Sequence, residues 1–261
     1  MRRQIRPRPA CRHPHPFLPM PSRKRPVRAA GDDALMARAL QWNELFSHWP
    51  DAQREELLKS ARMERYRRRT QVLSHDRHRR ELLVVVSGCL EISSVSDLGR
   101  KYVNALLGPG QVAPVVRLLE DVPLAYDYHA HEDSVIIHLP SDAVIAVLDA
   151  MPILWRDVAR LGLRRQRMSV AMLQAQTLGS IRRRVAATLA GLVEIYGLQQ
   201  QEGVDLRVRL SQHDLAAMLG LSRQTINKEL GALVDEGLIE LSYKRMVVRD
   251  PAALRRIGAE G

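Results

Sequence analysis

The sequence predicts an α+β protein with a strand-rich amino-terminal half, a long connecting helix and a carboxy-terminal domain of short helices and a hairpin. Three observations predict this fold class. Short apolar or alternating runs separated by glycine turns fill residues 66–139. A sustained helical periodicity follows over residues 152–178. Two short helical patterns then meet at Gly220 and precede two short strands. The 261 residues are enough for two domains with cores of their own.

The first 33 residues have the composition of a disordered tail. They contain seven prolines and nine lysines or arginines, with almost nothing apolar enough to pack. We therefore predict a disordered, basic, proline-rich tail over residues 1–33. Two interpretations stay open: a basic arm that binds phosphates, or a gene start placed too early, with Met20 or Met36 as the true start. Prolines follow the charged stretch where a secretory signal would have an apolar core, so no such signal is predicted.

Charge and cysteine content narrow the class of protein. The formal net charge is +11, and the tail supplies +7 of it (nine basic residues minus two aspartates), so the total charge is weak evidence for an anionic partner. Cys11 and Cys89 are the only cysteines. They cannot form a four-cysteine iron–sulfur cluster, and they fit a reducing cytoplasm. No apolar run approaches membrane-spanning length, so we expect a cytoplasmic protein without a membrane partner.

Residues 34–150 are predicted to form the strand-rich domain. It opens with a helix from Leu35 that carries Leu40, Leu45 and Phe46 on an apolar edge, followed by a second helix between Pro50 and Ser60. Five strands are expected, at Tyr66–Leu73, Glu81–Val86, Cys89–Val95, Tyr102–Leu107 and Ser134–Leu139. Many short strands with glycine turns predict a sandwich or a barrel.

Residues 151–178 are predicted to form a dimerisation helix. Its apolar residues recur at alternating steps of four and three, at Leu154, Val158, Leu161, Met168, Met172 and Ala175. This spacing is that of a coiled-coil seam, so we expect two subunits to pair along it. The alternative is that the stripe packs on the strand-rich domain of its own subunit. Arg165 interrupts the seam and would weaken a dimer unless it tilts outward or finds an acceptor.

Residues 179–261 are predicted to form a winged helix-turn-helix. Ser211 is a helix N-cap, Gly220 ends that helix in a tight turn, and Ser222 caps the next one. The second helix has an apolar stripe at Ile226, Leu230 and Leu233, which must face the protein. Two short apolar runs on either side of a polar turn at Ser242–Arg245 then predict a hairpin.

The polar side of the second helix carries side chains that hydrogen-bond bases and phosphates. We predict base contacts from Arg223, Gln224, Asn227 and Lys228, and phosphate contacts from Gln212, Ser222, Thr225, Lys244 and Arg245. The alternative is an ordinary helical hairpin without a nucleic-acid partner, because helix pairs joined at a glycine are common.

Two stretches carry a family resemblance. SRQTINKEL after LAAMLG is similar to the recognition helix of the CRP/FNR family of bacterial transcription regulators, and LLVVVSGCLEI with DLGRK and LLGPGQ resembles the β-roll of cyclic-nucleotide-binding domains. The resemblance implies a β-roll, a long dimerisation helix and a winged helix-turn-helix. It further implies a homodimer that binds an inverted-repeat operator in double-stranded DNA, with RNA polymerase as a further partner and no enzyme activity.

The β-roll departs from that family where cyclic nucleotides bind. Nucleotide-binding members carry a Gly and a Glu followed by an Arg beside a Ser or Thr, whereas this chain has Pro114, Val115 and Val116, then Leu124, Ala125 and Tyr126. Arg117 is the nearest cation, but it lies elsewhere in the loop. Because a buried phosphodiester needs a cationic partner, we expect no cyclic nucleotide, and the effector stays unknown.

Four histidines suggest a metal or haem site, at His75, His78, His129 and His131. We favour exposed or hydrogen-bonded histidines, because their spacing constrains no ligand geometry, and we therefore predict no metal and no cofactor. No catalytic triad or carboxylate pair stands out, so no catalytic residues are assigned. Two other classes stay open: a small-molecule or haem sensor with weakly specific DNA binding, and a sequence-indifferent nucleic-acid binder that uses the tail and Arg182–Arg184.

Overall fold

The computed structural model describes residues 31–73, 80–120, 126–242 and 245–259. Residues 1–30 of the predicted tail therefore lie outside the described residues. Asp32 and Asp33, the last two residues of that tail, begin the first helix. The amino-terminal half contains α1 (Asp32–Gln41), α2 (Asp51–Ser60), β1 (Arg62–Tyr66), β2 (Gln71–Leu73), β3 (Glu81–Ser87), β4 (Leu90–Val95), β5 (Lys101–Leu107), β6 (Val112–Ala113), β7 (Asp127–Ala130), β8 (Ser134–Pro140) and α3 (Ser141–Ala150). The remainder contains α4 (Trp155–Leu178), α5 (Ile181–Tyr196), β9 (Gly197–Gln200), β10 (Gly203–Leu206), α6 (Gln212–Leu219), α7 (Arg223–Asp235), β11 (Ile239–Ser242), β12 (Arg245–Val248) and α8 (Pro251–Ala259).

The amino-terminal strands form two antiparallel four-stranded sheets, in the orders β1-β8-β3-β6 and β2-β7-β4-β5. Apolar side chains from both sheets fill the space between them, among them Leu83, Val85, Leu90, Tyr128 and Ile136. Gly88 joins β3 to β4 at φ +82°, and a Cβ there would lie 2.4 Å from the carbonyl oxygen of Asp133. Glycine is therefore required at this turn. The predicted β-roll and the α+β class are confirmed.

Helices cover the outer face of the first sheet. Met36 and Leu40 of α1 pack there with Leu148 of α3. Leu45 and Phe46 are buried in the same core, but they lie in the turns between α1 and α2, because α1 ends at Gln41. The prediction that they extend the first helix is therefore wrong, although their burial follows the apolar pattern.

The predicted strand over residues 66–73 is interrupted. β1 ends at Tyr66, a turn occupies residues 67–70, and β2 begins at Gln71. Arg69 has φ +67°, the one positive value among the described residues other than glycine. Neither glycine nor proline marks this turn in the sequence, which is why alternation alone predicted a single strand.

Helix α4 starts against the β-roll and continues past it. A short 3₁₀ turn at Pro152–Leu154 precedes its 24 residues, which span about 36 Å. Leu154, Val158 and Leu161 are buried in the core that α1, α2 and α3 also form. The first half of the predicted seam thus packs on the β-roll of its own chain, which is the alternative interpretation.

The carboxy-terminal domain is built on a sheet of order β11-β12-β10-β9. Two of its strands, β9 and β10, form an antiparallel hairpin that ends at Leu206. α8 packs on α5 so closely that a Cβ on Gly258 would lie 3.0 Å from the Cα of Ala187. The winged helix-turn-helix architecture is confirmed, with α8 as an addition that the sequence analysis did not predict.

The two domains of the chain are in direct contact. Cys89, Val103 and Leu106 of the β-roll belong to the same buried cluster as α5, α6 and α7. The Sγ of Cys89 lies 3.0 Å from the hydroxyl oxygen of Tyr196 at the end of α5. Burial raises the pKa of the Cys89 thiol to about 12, so this contact joins two neutral groups.

Candidate nucleic-acid interface

The turn between α6 and α7 is set by local hydrogen bonds. Ser211 and Asp214 form a capping box at the start of α6, with the amide of Asp214 donating to the hydroxyl of Ser211 at 3.2 Å. Gly220 ends α6 at φ +63°, a conformation that glycine adopts without strain. The amide of Leu221 then donates to the carbonyl of Ala216 at 3.0 Å, which closes the turn.

Helix α7 has one buried face and one exposed polar face. Ile226, Leu230 and Leu233 are at most 1% exposed and hold the helix on α5 and α6. The four residues predicted to contact bases are all exposed on the opposite side: Arg223, Gln224, Asn227 and Lys228. The amphipathic pattern therefore correctly predicted that this face is exposed to solvent, where a partner can reach it.

The residues predicted to contact phosphate differ in their hydrogen-bond partners. Ser222 caps α7, since the amide of Thr225 donates to its hydroxyl at 3.0 Å, and the two side-chain oxygens lie 2.8 Å apart. The Nε of Arg223 lies 3.5 Å from the amide oxygen of Gln212, which brings the ends of α6 and α7 together. The Nε of Arg245 donates to Asp205 at 3.1 Å. Lys244 lies outside the described residues.

A cleft of about 570 Å³ lies among these elements of the DNA-binding domain, and Arg68 is the one described β-roll residue in its lining. Its lining includes Gln212, Arg223 and Arg245, but also Arg68 of the β1–β2 turn and Arg209 ahead of α6. Arg68 and Arg209 were not among the residues predicted to contact DNA. Three consecutive arginines at 67–69 were a visible signal, but only the tertiary structure shows that Arg68 faces the DNA-binding domain.

A second polar contact between the domains surrounds His131. Its Nδ1 lies 3.2 Å from Glu91, and its Nε2 lies 3.1 Å from the carbonyl oxygen of Arg209. The amide of Arg209 donates to Glu132 at 3.2 Å. Burial raises the pKa of Glu91, but hydrogen bonds from His131, Lys101 and Ser93 outweigh it and hold the value at about 2.

The loop that departs from the nucleotide-binding pattern is only partly described. Pro114 precedes a 3₁₀ helix over Val115–Leu118, and the Arg117 side chain within it is fully buried. The carbonyl of Arg117 accepts a hydrogen bond from Arg80 at 3.1 Å. Leu124 and Ala125 lie outside the described residues, whereas Tyr126 packs edge-on against Tyr128.

The candidate metal ligands are not brought together in the part of the chain that is described. His75 and His78 fall outside it, His129 is half-buried in β7, and His131 makes the contacts given above. Within the described ranges no group of three or more histidine, cysteine or carboxylate side chains could hold a metal ion.

The second half of the predicted seam is more exposed to solvent than the first. Met168 is 60% exposed, and Met172 and Ala175 are half-buried. Arg165 reaches Glu44 and the carbonyl of Val112 on its own subunit, which supplies the acceptor that a seam position would need. Other large apolar side chains of α4 are also exposed, namely Leu163, Val170, Leu173 and Leu178.

Comparisons with known proteins cover both domains. Residues 63–151 match the model of the cyclic nucleotide-binding domain, and residues 183–257 match the Crp-like helix-turn-helix domain. The Cyclic AMP receptor protein of Thermus thermophilus is 29% identical over 176 residues, which cover 67% of this chain and 78% of that protein. The HTH-type transcriptional regulator Cmr of Mycobacterium tuberculosis is 30% identical over 172 residues, 66% of each chain.

Solved structures show the same fold. The structure of FixK2 from Bradyrhizobium japonicum matches with a TM-score of 0.68 at 19% identity, over 77% of this chain and 98% of that one. No helix among the described residues has both the length and the apolar character needed to cross a membrane. A β-roll, a winged helix with an exposed polar recognition face, and matches to both domain models and to named regulators place the chain in the CRP/FNR family of transcription regulators, with a helix-turn-helix DNA-binding domain.

Proposed function

We propose that this regulator binds DNA sequence-specifically, as a homodimer on an inverted-repeat operator, and without a cyclic nucleotide. The observation that carries the proposal is the exposed polar face of α7, with Arg223, Gln224, Asn227 and Lys228 outward and the apolar stripe buried. A helix of this kind fits the major groove, where base edges differ in their donors and acceptors.

The side chains of α7 suggest a base preference. The resemblance places Arg, Glu and Arg at three positions where this chain has Arg223, Gln224 and Lys228. Arg223 suits a bidentate contact to guanine, whereas Gln224 suits adenine better than the cytosine that a glutamate would accept from. We therefore expect an operator in which the position read by Gln224 differs from that of relatives with glutamate.

The dimer is proposed to use the exposed face of α4. Leu163, Val170 and Leu173 follow a spacing of seven and three residues and are 62%, 49% and 63% exposed. Because Leu154, Val158 and Leu161 are already buried within the subunit, this other face is the better candidate for the seam. RNA polymerase remains a predicted partner.

The proposal that no cyclic nucleotide binds is supported by the side chains of the loop. Val115 and Val116 supply no acceptor for a ribose hydroxyl, and Arg117 is buried to 0% exposure. Adding cyclic AMP or cyclic GMP to the purified regulator should leave its DNA affinity unchanged. Calorimetric titration checks this directly, and saturable binding would overturn this part of the proposal.

Binding-site selection on random duplex DNA tests the central claim. We expect an enriched inverted repeat, and a footprint on it should show two protected half-sites about one helical turn apart. Enrichment of a single isolated half-site would contradict the dimer. Failure to enrich any sequence would contradict specific binding.

A further inference from the structure

We infer that His131 forms a pH-dependent latch between the β-roll and the DNA-binding domain, and that closing this latch strengthens DNA binding. The interdomain latch consists of His131, Glu91 of β4 and the backbone carbonyl of Arg209, which precedes α6. The inference rests on the proposed DNA-binding function and adds a means by which it is regulated.

The latch is a buried polar contact that spans two domains. The side chains of His131 and Glu91 are each 4% exposed. Nδ1 of His131 lies 3.2 Å from Glu91 on its own domain, and Nε2 lies 3.1 Å from the carbonyl oxygen of Arg209 on the other. An imidazolium has a donor for each acceptor, whereas a neutral imidazole has a single N–H. Loss of the proton therefore removes one of the two hydrogen bonds.

The hydrogen bond that is lost is the one that joins the domains. Hydrogen bonds from His131, Lys101 and Ser93 outweigh the effect of burial and hold the pKa of Glu91 at about 2, so this group stays a carboxylate. A carboxylate is a stronger acceptor than a carbonyl, so a neutral His131 keeps its N–H on Nδ1. Nε2 then faces the carbonyl of Arg209 as one acceptor faces another. The contact between the β-roll and the start of α6 therefore opens as the pH rises.

The surroundings of His131 favour its charged form. Histidine is the side chain whose charge ordinarily changes between pH 5 and pH 8. Burial lowers the pKa of His131, but the hydrogen bonds to Glu91 and Arg209 outweigh it, and the charges of Asp214 and Glu91 add to their effect. The side chain of Arg209 is exposed, so this residue faces the ring with its carbonyl. The other charged groups around the turn, among the described residues, are Lys101 of β5, Glu132, Asp133 and Arg68.

The latch acts on the segment that leads into the helix-turn-helix. Arg209 lies two residues before Ser211, the N-cap of α6. The amide of Arg209 also donates to Glu132 at 3.2 Å, so the turn after β7 holds this backbone on both sides. The polar face of α7 stays exposed in this closed arrangement, which leaves it accessible to DNA. Closing the latch orders the domain before DNA arrives, so that binding has less of the chain to order.

The test measures the affinity for the selected operator by fluorescence anisotropy, from about pH 6 to about pH 9 at constant ionic strength. Across this range wild type should lose about tenfold more affinity than His131→Gln, in which a neutral amide replaces the titratable ring. His213→Gln is the matched control, because His213 is exposed at the start of α6 and lines the cleft outside the latch. This control should keep the loss that depends on His131.

An NMR titration of the His131 ring in wild type needs no variant and decides the question if His131→Gln folds poorly. The pKa of His131 should be higher in the operator complex than in the free protein, because the coupling between two binding events is reciprocal. An unchanged pKa, with equal pH dependence of wild type and His131→Gln on an operator that both bind, would overturn the inference alone. A rise in affinity with pH that depends on His131 would also overturn it, since the closed arrangement would then oppose DNA binding. If wild type selects no sequence at any pH, the proposed function fails and the inference falls with it.

Discussion

Gly220 and Ser222 together determine the direction in which the Arg223 side chain extends from the protein surface. The left-handed glycine ends α6, and the serine cap starts α7 two residues later, so the first side chain of α7 has little freedom in its direction. These signals are local, and the sequence predicted them correctly for that reason. Arg68 and Arg209 join the same cleft through tertiary contacts alone, so periodicity and capping could not have found them.

Replacing Arg223 with alanine tests base reading. We expect this variant to lose about 1 to 3 kcal/mol of discrimination at one base pair of each half-site, because alanine cannot make the bidentate contact to guanine. Competition between the selected duplex and single-base variants measures the change. Asn104→Ala, an exposed site on β5 away from α7, is the control. Equal weakening on every duplex would show instead that Arg223 contacts only phosphate.

At the scale of elements, α4 shows what a helical repeat can and cannot predict. Periodicity correctly indicated a long amphipathic helix, but it could not say which surface would cover the stripe. The structure buries Leu154, Val158 and Leu161 on the β-roll and leaves Leu163 and Val170 exposed. The prediction of strand boundaries was limited in a similar way. The turn at residues 67–70 has no glycine to mark it, and the β9–β10 hairpin is mostly polar and exposed, so it lacks an apolar strand pattern.

Replacing Val170 with glutamate tests the proposed seam. Two buried, unpaired carboxylates at a symmetric interface should weaken the dimer by at least about 3 kcal/mol, or more than a hundredfold in its dissociation constant. Sedimentation velocity over a concentration series measures this. Ala171→Glu, an exposed neighbour about 100° further around the helix, should leave the dimer intact. A dimer unaffected by Val170→Glu would exclude this face of α4.

The turn after β7 contains His131, a titratable side chain that contacts both domains. Both ring nitrogens of His131 face acceptors, the carboxylate of Glu91 and the carbonyl of Arg209, and only the imidazolium can donate to both. Burial lowers the pKa of His131, but the hydrogen bonds to Glu91 and Arg209 outweigh it, with Asp214 adding to the effect, and raise the pKa above 6.5. Lys101 pairs with Glu91 at 2.6 Å, and Glu91 stays ionised above its pKa of about 2.

The sign of the pH dependence follows from the raised pKa. The stabilisation by His131 is fully present below its unfolded pKa of about 6.5 and is lost as the pH rises through the folded value. Thermal unfolding at about pH 6 and about pH 9 should show the free energy of unfolding of the wild type falling by about 1.5 to 3 kcal/mol, the contribution of one hydrogen bond to a charged group. His131→Gln should be less stable at the lower pH and change less between the two. Parallel losses in both proteins would contradict the assignment.

At the scale of the whole molecule, we predict that the basic tail and the folded domains make separable contributions to DNA binding. Residues 1–33 supply +7 of the formal charge of +11. Deleting them should weaken binding to random duplex DNA and reduce its salt dependence, while the preference for the selected operator stays. The ratio of specific to non-specific affinity, measured at two salt concentrations, checks this. Loss of the preference would indicate a sequence-indifferent binder driven by the tail.

The shared cluster around Cys89, Val103 and Leu106 predicts that the two domains unfold cooperatively. A Cβ on Gly108 would lie 2.9 Å from Ile195 and 3.1 Å from Tyr196, so even the loop after β5 is fitted to α5. Differential scanning calorimetry should therefore record one endotherm for the subunit rather than two. We therefore expect strain imposed on β4 or β5 to be felt by α5 and α6, because side chains of these strands and helices pack in one cluster.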